Sequence, residues 1–152
     1  MERQVKKSAW NAPSFEESLL RLRTVHWHQQ DFVRKRYKLK PDEFNIILHL
    51  LKNKDQRMRD LGDRFQIKLS TLTSMVDKIE QARYVKRQNS TQDRRVVYLQ
   101  LTEKGKRLCD NYFTYLKEIS SQMRKVLNED QLSVFIEGTK RLEESIKLSE
   151  GF

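Results

Sequence analysis

The chain has 152 residues, a length that suits one domain with a core of its own. Its 31 lysines and arginines against 21 aspartates and glutamates give a net charge of +10, which favours a polyanionic partner such as nucleic acid. An apolar run long enough for a membrane span, a signal peptide and a cysteine pair are all missing, so we expect a cytoplasmic protein with no membrane role.

Two helices are predicted in the first third of the chain. Ser14 and Glu17 have the spacing of a capping box, and a narrow seam then recurs at alternating intervals of four and three: Phe15, Leu19, Leu22, His26, Gln29 and Val33. This pattern predicts one long helix over 14–38. Pro41 and two acidic residues open a second helix that ends near Asn53. One face of it is expected to be buried: Phe44, Ile47, Leu48 and Leu51.

A helix-turn-helix pattern comes next. Residues 58–65 predict a short helix, and after a three-residue turn a second helix runs from about Leu69 to Ala82. An apolar face of this second helix contrasts with small hydroxyl-bearing and basic side chains on its other faces: Ser70, Thr71, Thr73, Ser74 and Lys78. Such side chains fit a major groove and can reach phosphates and base edges, as a recognition helix requires. The alternative is an ordinary solvated face rich in serine and threonine.

A β-hairpin is predicted directly after this helix. The runs 84–87 and 96–101 are rich in β-branched and aromatic residues and flank a polar loop. A hairpin at this position predicts a winged helix-turn-helix. Arg94 and Arg95 fall at its tip, where they would reach the DNA backbone or an adjacent narrow minor groove.

Three segments in this order, LKPDEFNIILHLL, RDLGDRFQIKLSTLTSMVDKIE and YVKRQNSTQDRRVVYLQLTEKG, resemble the MarR family of bacterial transcriptional regulators. The resemblance covers about 15–148, and its most specific motif is the wing signature Asp-Arg-Arg, six residues, Thr, two residues, Gly. It implies a homodimer that binds double-stranded DNA, with Asp93 orienting Arg95 toward the minor groove. The predicted DNA-binding residues are Lys68, Ser70, Thr71, Thr73, Ser74, Lys78, Arg87, Asn89, Asp93, Arg94 and Arg95.

The sequence departs from the family pattern at three helix ends. Gln81, Ala82 and Arg83 stand where the family usually has a glycine after the recognition helix, so that helix end must be strained or shaped differently. Lys40 and Lys68 replace the usual Ser or Thr caps, each at a cost of about 1 kcal/mol. A lysine beside a helix start could instead meet a phosphate.

The C-terminal third predicts two further helices with apolar faces. After Thr102 as N-cap come two adjacent stripes: Leu108, Tyr112, Tyr115, Ile119 and Val126, and then Cys109, Phe113, Leu116, Met123 and Leu127. Asn128, with Gln131 as capping-box partner, starts a final helix. This helix is expected to bury Leu132, Phe135, Ile136, Leu142 and Ile146.

The predicted fold is mainly α with a small β-hairpin wing, in a single domain over 1–152. Segments 14–38 and 102–148 form the dimerisation helices, and 41–101 form the winged helix-turn-helix lobe. The terminal helices carry more apolar surface than so small a lobe can cover. The surplus predicts an intertwined homodimer whose recognition helices lie about one DNA turn apart, roughly 34 to 36 Å.

Catalytic and metal-binding motifs are missing from the sequence. The three histidines form no HExxH pattern, CxxC and Walker-type loops do not occur, and we predict neither an enzyme nor a cofactor. Cys109 lies in an apolar stripe and is interpreted as a buried small hydrophobe rather than a redox switch. The family resemblance suggests an effector crevice, for which the aromatic and polar candidates are His26, Trp27, Phe44, His49 and Tyr112.

Two classes of function remain at this point. One is a dimeric, sequence-specific transcriptional regulator, a repressor by family precedent, released from DNA by a small-molecule effector. The other is a non-specific nucleic-acid-binding or architectural protein, which needs the basic charge but not the wing signature. Preference for one palindromic site over random duplex distinguishes them.

Overall fold

The computed structural model describes residues 15–90 and 96–149, and Ser14, the predicted cap of the first helix, lies outside them. The helices are α1 (Phe15–Tyr37), α2 (Pro41–Lys52), α3 (Met58–Phe65), α4 (Leu69–Gln81), α5 (Glu103–Val126) and α6 (Glu129–Ser149). The strands are β1 (Gln56–Arg57), β2 (Val85–Asn89) and β3 (Val97–Leu101). The predicted class, mainly α with a small β wing, is confirmed. The chain divides between Lys106 and Arg107 into two compact units.

The wing is a three-stranded antiparallel sheet in the order β1-β3-β2. Val85 pairs with Leu101 and Asn89 with Val97, so β2 and β3 form the predicted hairpin. The additional strand β1 pairs Gln56 with Leu99 and was not predicted. Two residues are too few to show the alternating pattern by which a strand is recognised in a sequence.

The core of the first unit lies between α2, α4 and the sheet. Its fully buried side chains include Ile46, Ile47, Leu61, Leu72, Val76, Ile79 and Leu99. The predicted buried face of α2 was wrong in part, because Leu48 and Leu51 are only half-buried whereas Ile46 and Leu50 are buried. The buried face of α2 is set by its contacts with α1, α4 and β3, and it includes Ile46 and Leu50 in place of Leu48 and Leu51.

The C-terminal end of α4, the predicted recognition helix, has a left-handed residue although it lacks a glycine. The N–H of Tyr84 donates to the carbonyl of Ile79 at 2.9 Å and that of Arg83 to Glu80 at 2.7 Å, the two bonds of a Schellman motif. Arg83 itself has φ of 63°, in the left-handed region. Of the two outcomes that the sequence left open, the helix end is therefore strained and not reshaped.

Replacing Arg83 with glycine should stabilise the protein by about 0.5 to 1 kcal/mol. Glycine adopts a left-handed φ at little steric cost, and this gain exceeds its larger loss of backbone entropy on folding. Chemical denaturation of the two proteins measures the difference. A variant less stable than the parent would show that the arginine side chain contributes more than its backbone conformation costs.

The second unit contains α5 from Arg107 onward and α6. The predicted capping box at the start of α6 is confirmed: the Asn128 N–H donates to Gln131 Oε1 at 3.0 Å, and the Gln131 N–H to Asn128 Oδ1 at 2.9 Å. Fewer side chains of α6 are buried than predicted. Leu132 is buried and Leu142 is half-buried, whereas Phe135 and Ile136 are exposed in the single chain. The side chain of Ile146 lies outside the described residues.

Candidate DNA-binding interface

The exposed face of α4 is the candidate reading surface. Leu72, Val76 and Ile79 have no exposed surface and fix the helix against the core. The predicted contact residues are all exposed on the other side: Ser70, Thr71, Thr73 and Ser74. Within the free protein, the Thr73 hydroxyl donates to the Leu69 carbonyl at 2.8 Å and the Ser74 hydroxyl to the Ser70 carbonyl at 3.2 Å. The four side chains are short, so this face can approach the floor of a groove.

Both lysines predicted on α4 are exposed, but their surroundings differ. Lys68 is the N-cap residue and makes no side-chain cap bond, as expected. The Lys78 ammonium lies 3.8 Å from Oε1 of Glu43, a carboxylate that is almost fully buried at the start of α2. The other oxygen of Glu43 accepts the backbone N–H of Lys40 at 2.9 Å. One carboxylate therefore contacts both the start of α2 and a side chain of α4.

Arg87 on β2 is held by two carboxylates of α4. Its guanidinium contacts Glu80 Oε2 at 2.5 Å and Asp77 Oδ1 at 2.6 Å, and its backbone N–H donates to Glu80 Oε1 at 2.8 Å. Planar donors on paired carboxylates give a well-oriented contact. We call these three residues the wing clamp. This clamp was not predicted from the sequence. A direct DNA contact by Arg87 stays a prediction, and it requires the guanidinium to share its donors between the two carboxylates and DNA.

The wing tip carries the remaining predicted contacts. Asn89 is exposed at the outer end of β2, and the Ser90 N–H donates to the Val96 carbonyl at 2.9 Å, which closes the hairpin. Asp93, Arg94 and Arg95 lie outside the described residues, so their contacts with DNA stay predictions.

The Thr and Gly of the wing signature close the base of the wing. The Thr102 hydroxyl accepts the N–H of Gly105 at 3.1 Å, which confirms the predicted N-cap of α5, and it donates to the Arg83 carbonyl at 2.6 Å. A Cβ on Gly105 would lie 2.2 Å from the Tyr84 carbonyl oxygen. The chain leaving α4 thus passes directly over the first turn of α5, a crossing that only glycine permits.

Changing Glu80 to glutamine tests whether the wing clamp positions the wing. If the clamp fixes the angle between wing and recognition helix, the variant should bind DNA about three- to tenfold more weakly, because a charge-assisted pair becomes a weaker neutral one. If Arg87 contacts DNA directly, the same variant should bind more tightly, since it frees a cation and removes a negative charge. Anisotropy titration at equal salt decides, with Glu118→Gln on α5 as the matched charge control.

The predicted effector residues occupy different environments. Phe44 is a buried core residue, whereas the Trp27 indole is more than half exposed and packs edge-on to His28 with ring centres 5.2 Å apart. The half-buried His49 ring packs edge-on to Phe65 at 5.6 Å. His26 is exposed on α1, and Tyr112 is half-buried in the second unit. A crevice of about 420 Å³ in the first unit has a different lining: Leu50, Leu51, Lys54, Asp55, Gln100, Leu101 and Lys106.

Cys109 is buried, as the sequence predicted. Burial, assisted by the neighbouring charge of Asp110, raises the pKa of its thiol to about 11. At neutral pH the group is therefore a thiol, the unreactive form. Across the described ranges, no cluster of three or more His, Cys, Asp or Glu side chains could hold a metal ion. None of the helices described here has the length and apolarity to cross a bilayer.

A serine- and threonine-rich helix, anchored by its apolar face and held beside a three-stranded sheet, defines a winged helix-turn-helix DNA-binding protein. The family model described as "Transcriptional regulator SarA/Rot" matches residues 30–112, more than half of the chain. The chain belongs to this family of transcriptional regulators, whose members are not enzymes.

Individual relatives agree with this assignment. The HTH-type transcriptional regulator MhqR of Bacillus subtilis is 32% identical over 120 residues, covering 79% of this chain and 82% of MhqR. Streptococcus pneumoniae FabT, solved in complex with DNA, matches with a TM-score of 0.75 at 24% identity, covering 87% of this chain and 94% of FabT. MarR from E. coli matches with a TM-score of 0.68 at 15% identity, covering 85% of this chain and 96% of MarR. The resemblance to MarR regulators is confirmed, and the protein is a DNA-binding transcriptional regulator.

Proposed function

We propose that this regulator acts as a homodimer that reads one palindromic operator and represses the genes behind it. The observation that carries the proposal is the exposed hydroxyl-bearing face of α4, held rigidly by its buried side and by the wing clamp. A rigid helix with small side chains can approach and select base edges. A surface that binds DNA by charge alone does not need such a helix. Repression follows the precedent of the MarR regulators that the chain resembles.

Exposed apolar side chains on three helices support the dimer. In the single chain Leu20, Val25 and Trp27 of α1 are 46 to 57% exposed, and Ile136 and Val134 of α6 are 61 and 73% exposed. Val126 at the end of α5 is 77% exposed. Apolar groups gathered on the terminal helices gain free energy when a second copy covers them. A symmetric pair would present two recognition helices to successive turns of one duplex face.

Selection of genomic fragments that the full-length protein retains tests the proposal. We expect one palindromic motif, bound at least a thousandfold more tightly than random duplex. Equal binding of all fragments would establish the alternative, a non-specific architectural protein. Sedimentation at micromolar concentration should give a dimer, and a monomer would refute the two-half-site arrangement. Transcription from the selected promoter should rise when the gene is deleted, and a fall would identify an activator instead.

A small-molecule effector that releases the operator is part of the proposal. Trp27 and His49 are two of the predicted pocket residues that retain exposed surface. Replacing either should change effector-dependent release without changing binding in its absence. If both variants respond normally to an effector, the pocket is elsewhere, and the crevice near Lys54 and Lys106 is the next place to test. As a regulator of chromosomal genes, the protein would act in the cytoplasm.

A further inference from the structure

A dense run of positive charge lies where α1 passes into α2. Five of the seven residues from Arg34 to Lys40 are lysine or arginine, and all five are exposed. Four of them border a shallow recess of about 300 Å³. We call it the basic recess, and its lining residues are Arg34, Lys35, Lys38, Leu39, Lys40 and Pro41.

The cations of the basic recess are not equally neutralised. Two of them form ion pairs with the Asp31 carboxylate, Arg34 at 2.5 Å and Lys35 at 2.7 Å. Hydrogen bonds from Lys35 and Arg34 lower the pKa of the Asp31 carboxyl group. Across the described ranges, neither Lys38 nor Lys40 has a carboxylate within 4.0 Å of its ammonium group. Two unneutralised cations at one recess attract an anion from outside the chain.

The basic recess lies next to the recognition helix. The Glu43 carboxylate binds the backbone N–H of Lys40 with one oxygen and faces the Lys78 ammonium with the other, at 2.9 and 3.8 Å. Through this one buried carboxylate, the edge of the recess is fixed to the exposed side of α4. Asp42 follows Pro41 in the sequence and is exposed, but it adds one negative charge beside the four cations that line the recess.

We propose that the basic recess contacts the phosphate backbone of the same duplex that α4 reads. The inference rests on the operator binding proposed above, and it adds a contact beside the major groove that neither the helix-turn-helix nor the wing supplies. Flexible lysines on a recess suit phosphates, whose position varies with DNA shape, better than base edges. Lys38 and Lys40 make the contact, and Arg34 and Lys35 add positive potential behind them.

The test compares two double variants of the full-length protein on the duplex recovered by selection. Lys38→Gln with Lys40→Gln should weaken binding about tenfold at low salt and reduce the log–log salt slope by about 0.9 for each phosphate that is no longer neutralised. Lys52→Gln with Lys54→Gln is the matched control, because it removes the same charge at the opposite end of α2. Glutamine keeps the aliphatic stems, and thermal denaturation should show that both variants fold.

Each result is decisive. A larger loss of affinity and slope in the first variant than in the control supports the basic recess as a phosphate contact. Equal changes in both overturn it and leave the proposed function standing. Failure of the unmodified protein to prefer any duplex overturns both. Vesicles rich in phosphatidylglycerol form a second arm: if the first variant loses vesicle binding but keeps DNA binding, the recess serves a membrane surface and the inference is wrong.

Discussion

Replacing Gly105 with alanine is expected to destabilise the protein by roughly 2 to 4 kcal/mol. The added Cβ would lie 2.2 Å from the Tyr84 carbonyl oxygen and 3.0 Å from a methyl group of Leu101. The Tyr84 oxygen belongs to backbone that is already bonded, since it accepts the Thr102 N–H at 3.1 Å. Relief therefore requires the chain between α4 and β2 to move away from α5.

Gly138 on α6 provides the control for this variant. A Cβ there meets no atom within 4 Å, and Gly138 lies inside a helix. Gly138→Ala should therefore stabilise the protein by about 0.5 to 1 kcal/mol, because alanine loses less backbone entropy in a helix. Chemical denaturation of both variants gives opposite signs if the crossing at Gly105 is as close as described. Equal stability of Gly105→Ala and the parent would contradict it.

Local sequence patterns were sufficient to predict the helices and the hairpin of the winged helix-turn-helix lobe. The helical period and the β-branched runs each occur within one element, so α3, α4 and the hairpin were placed within one or two residues. Helix caps are local too, and Thr102, Asn128 and Gln131 behave as predicted. The sequence also predicted correctly that Lys40 and Lys68 make no side-chain cap bond.

Features that depend on contacts between different helices and strands could not be predicted from the sequence. The wing clamp joins residues seven and ten positions apart, on a helix and the strand that folds back over it. Asp77 and Glu80 share a helix face, but only the docking of β2 shows that Arg87 meets both. Likewise, one stripe of α2 could not reveal that Ile46 is buried, since three elements surround that helix.

The apolar faces of the terminal helices are only partly buried within one chain. The stripes on α5 and α6 were identified correctly as apolar, yet Val126, Phe135 and Ile136 remain exposed in one copy. Burying these side chains requires a partner surface, and neither the periodicity of the sequence nor the fold of one chain identifies that partner. Sedimentation of the full-length protein measures whether a second copy is bound.

The wing tip gives the largest expected effect on DNA affinity. The paired residues Ser90 and Val96 bracket the segment that carries Asp93 and Arg95. We propose that the Asp93 carboxylate holds the planar guanidinium of Arg95 in one orientation while leaving donors for the minor groove. Arg95→Ala should then cost roughly 1 to 3 kcal/mol of binding free energy, and Arg94→Ala should cost less if it meets only phosphate or solvent.

The Asp93→Ala variant tests whether Arg95 makes an oriented contact with DNA or acts only through its positive charge. A wing that acted only by its positive charge would bind DNA more tightly once this negative charge is gone, because each removed anion lessens the repulsion of phosphates. An orienting aspartate predicts the opposite, weaker binding, since the arginine then loses conformational entropy on reaching the groove. Anisotropy titration at equal salt, with thermal denaturation to verify folding, gives the sign. Tighter binding by Asp93→Ala would show that Arg94 and Arg95 act as bulk charge.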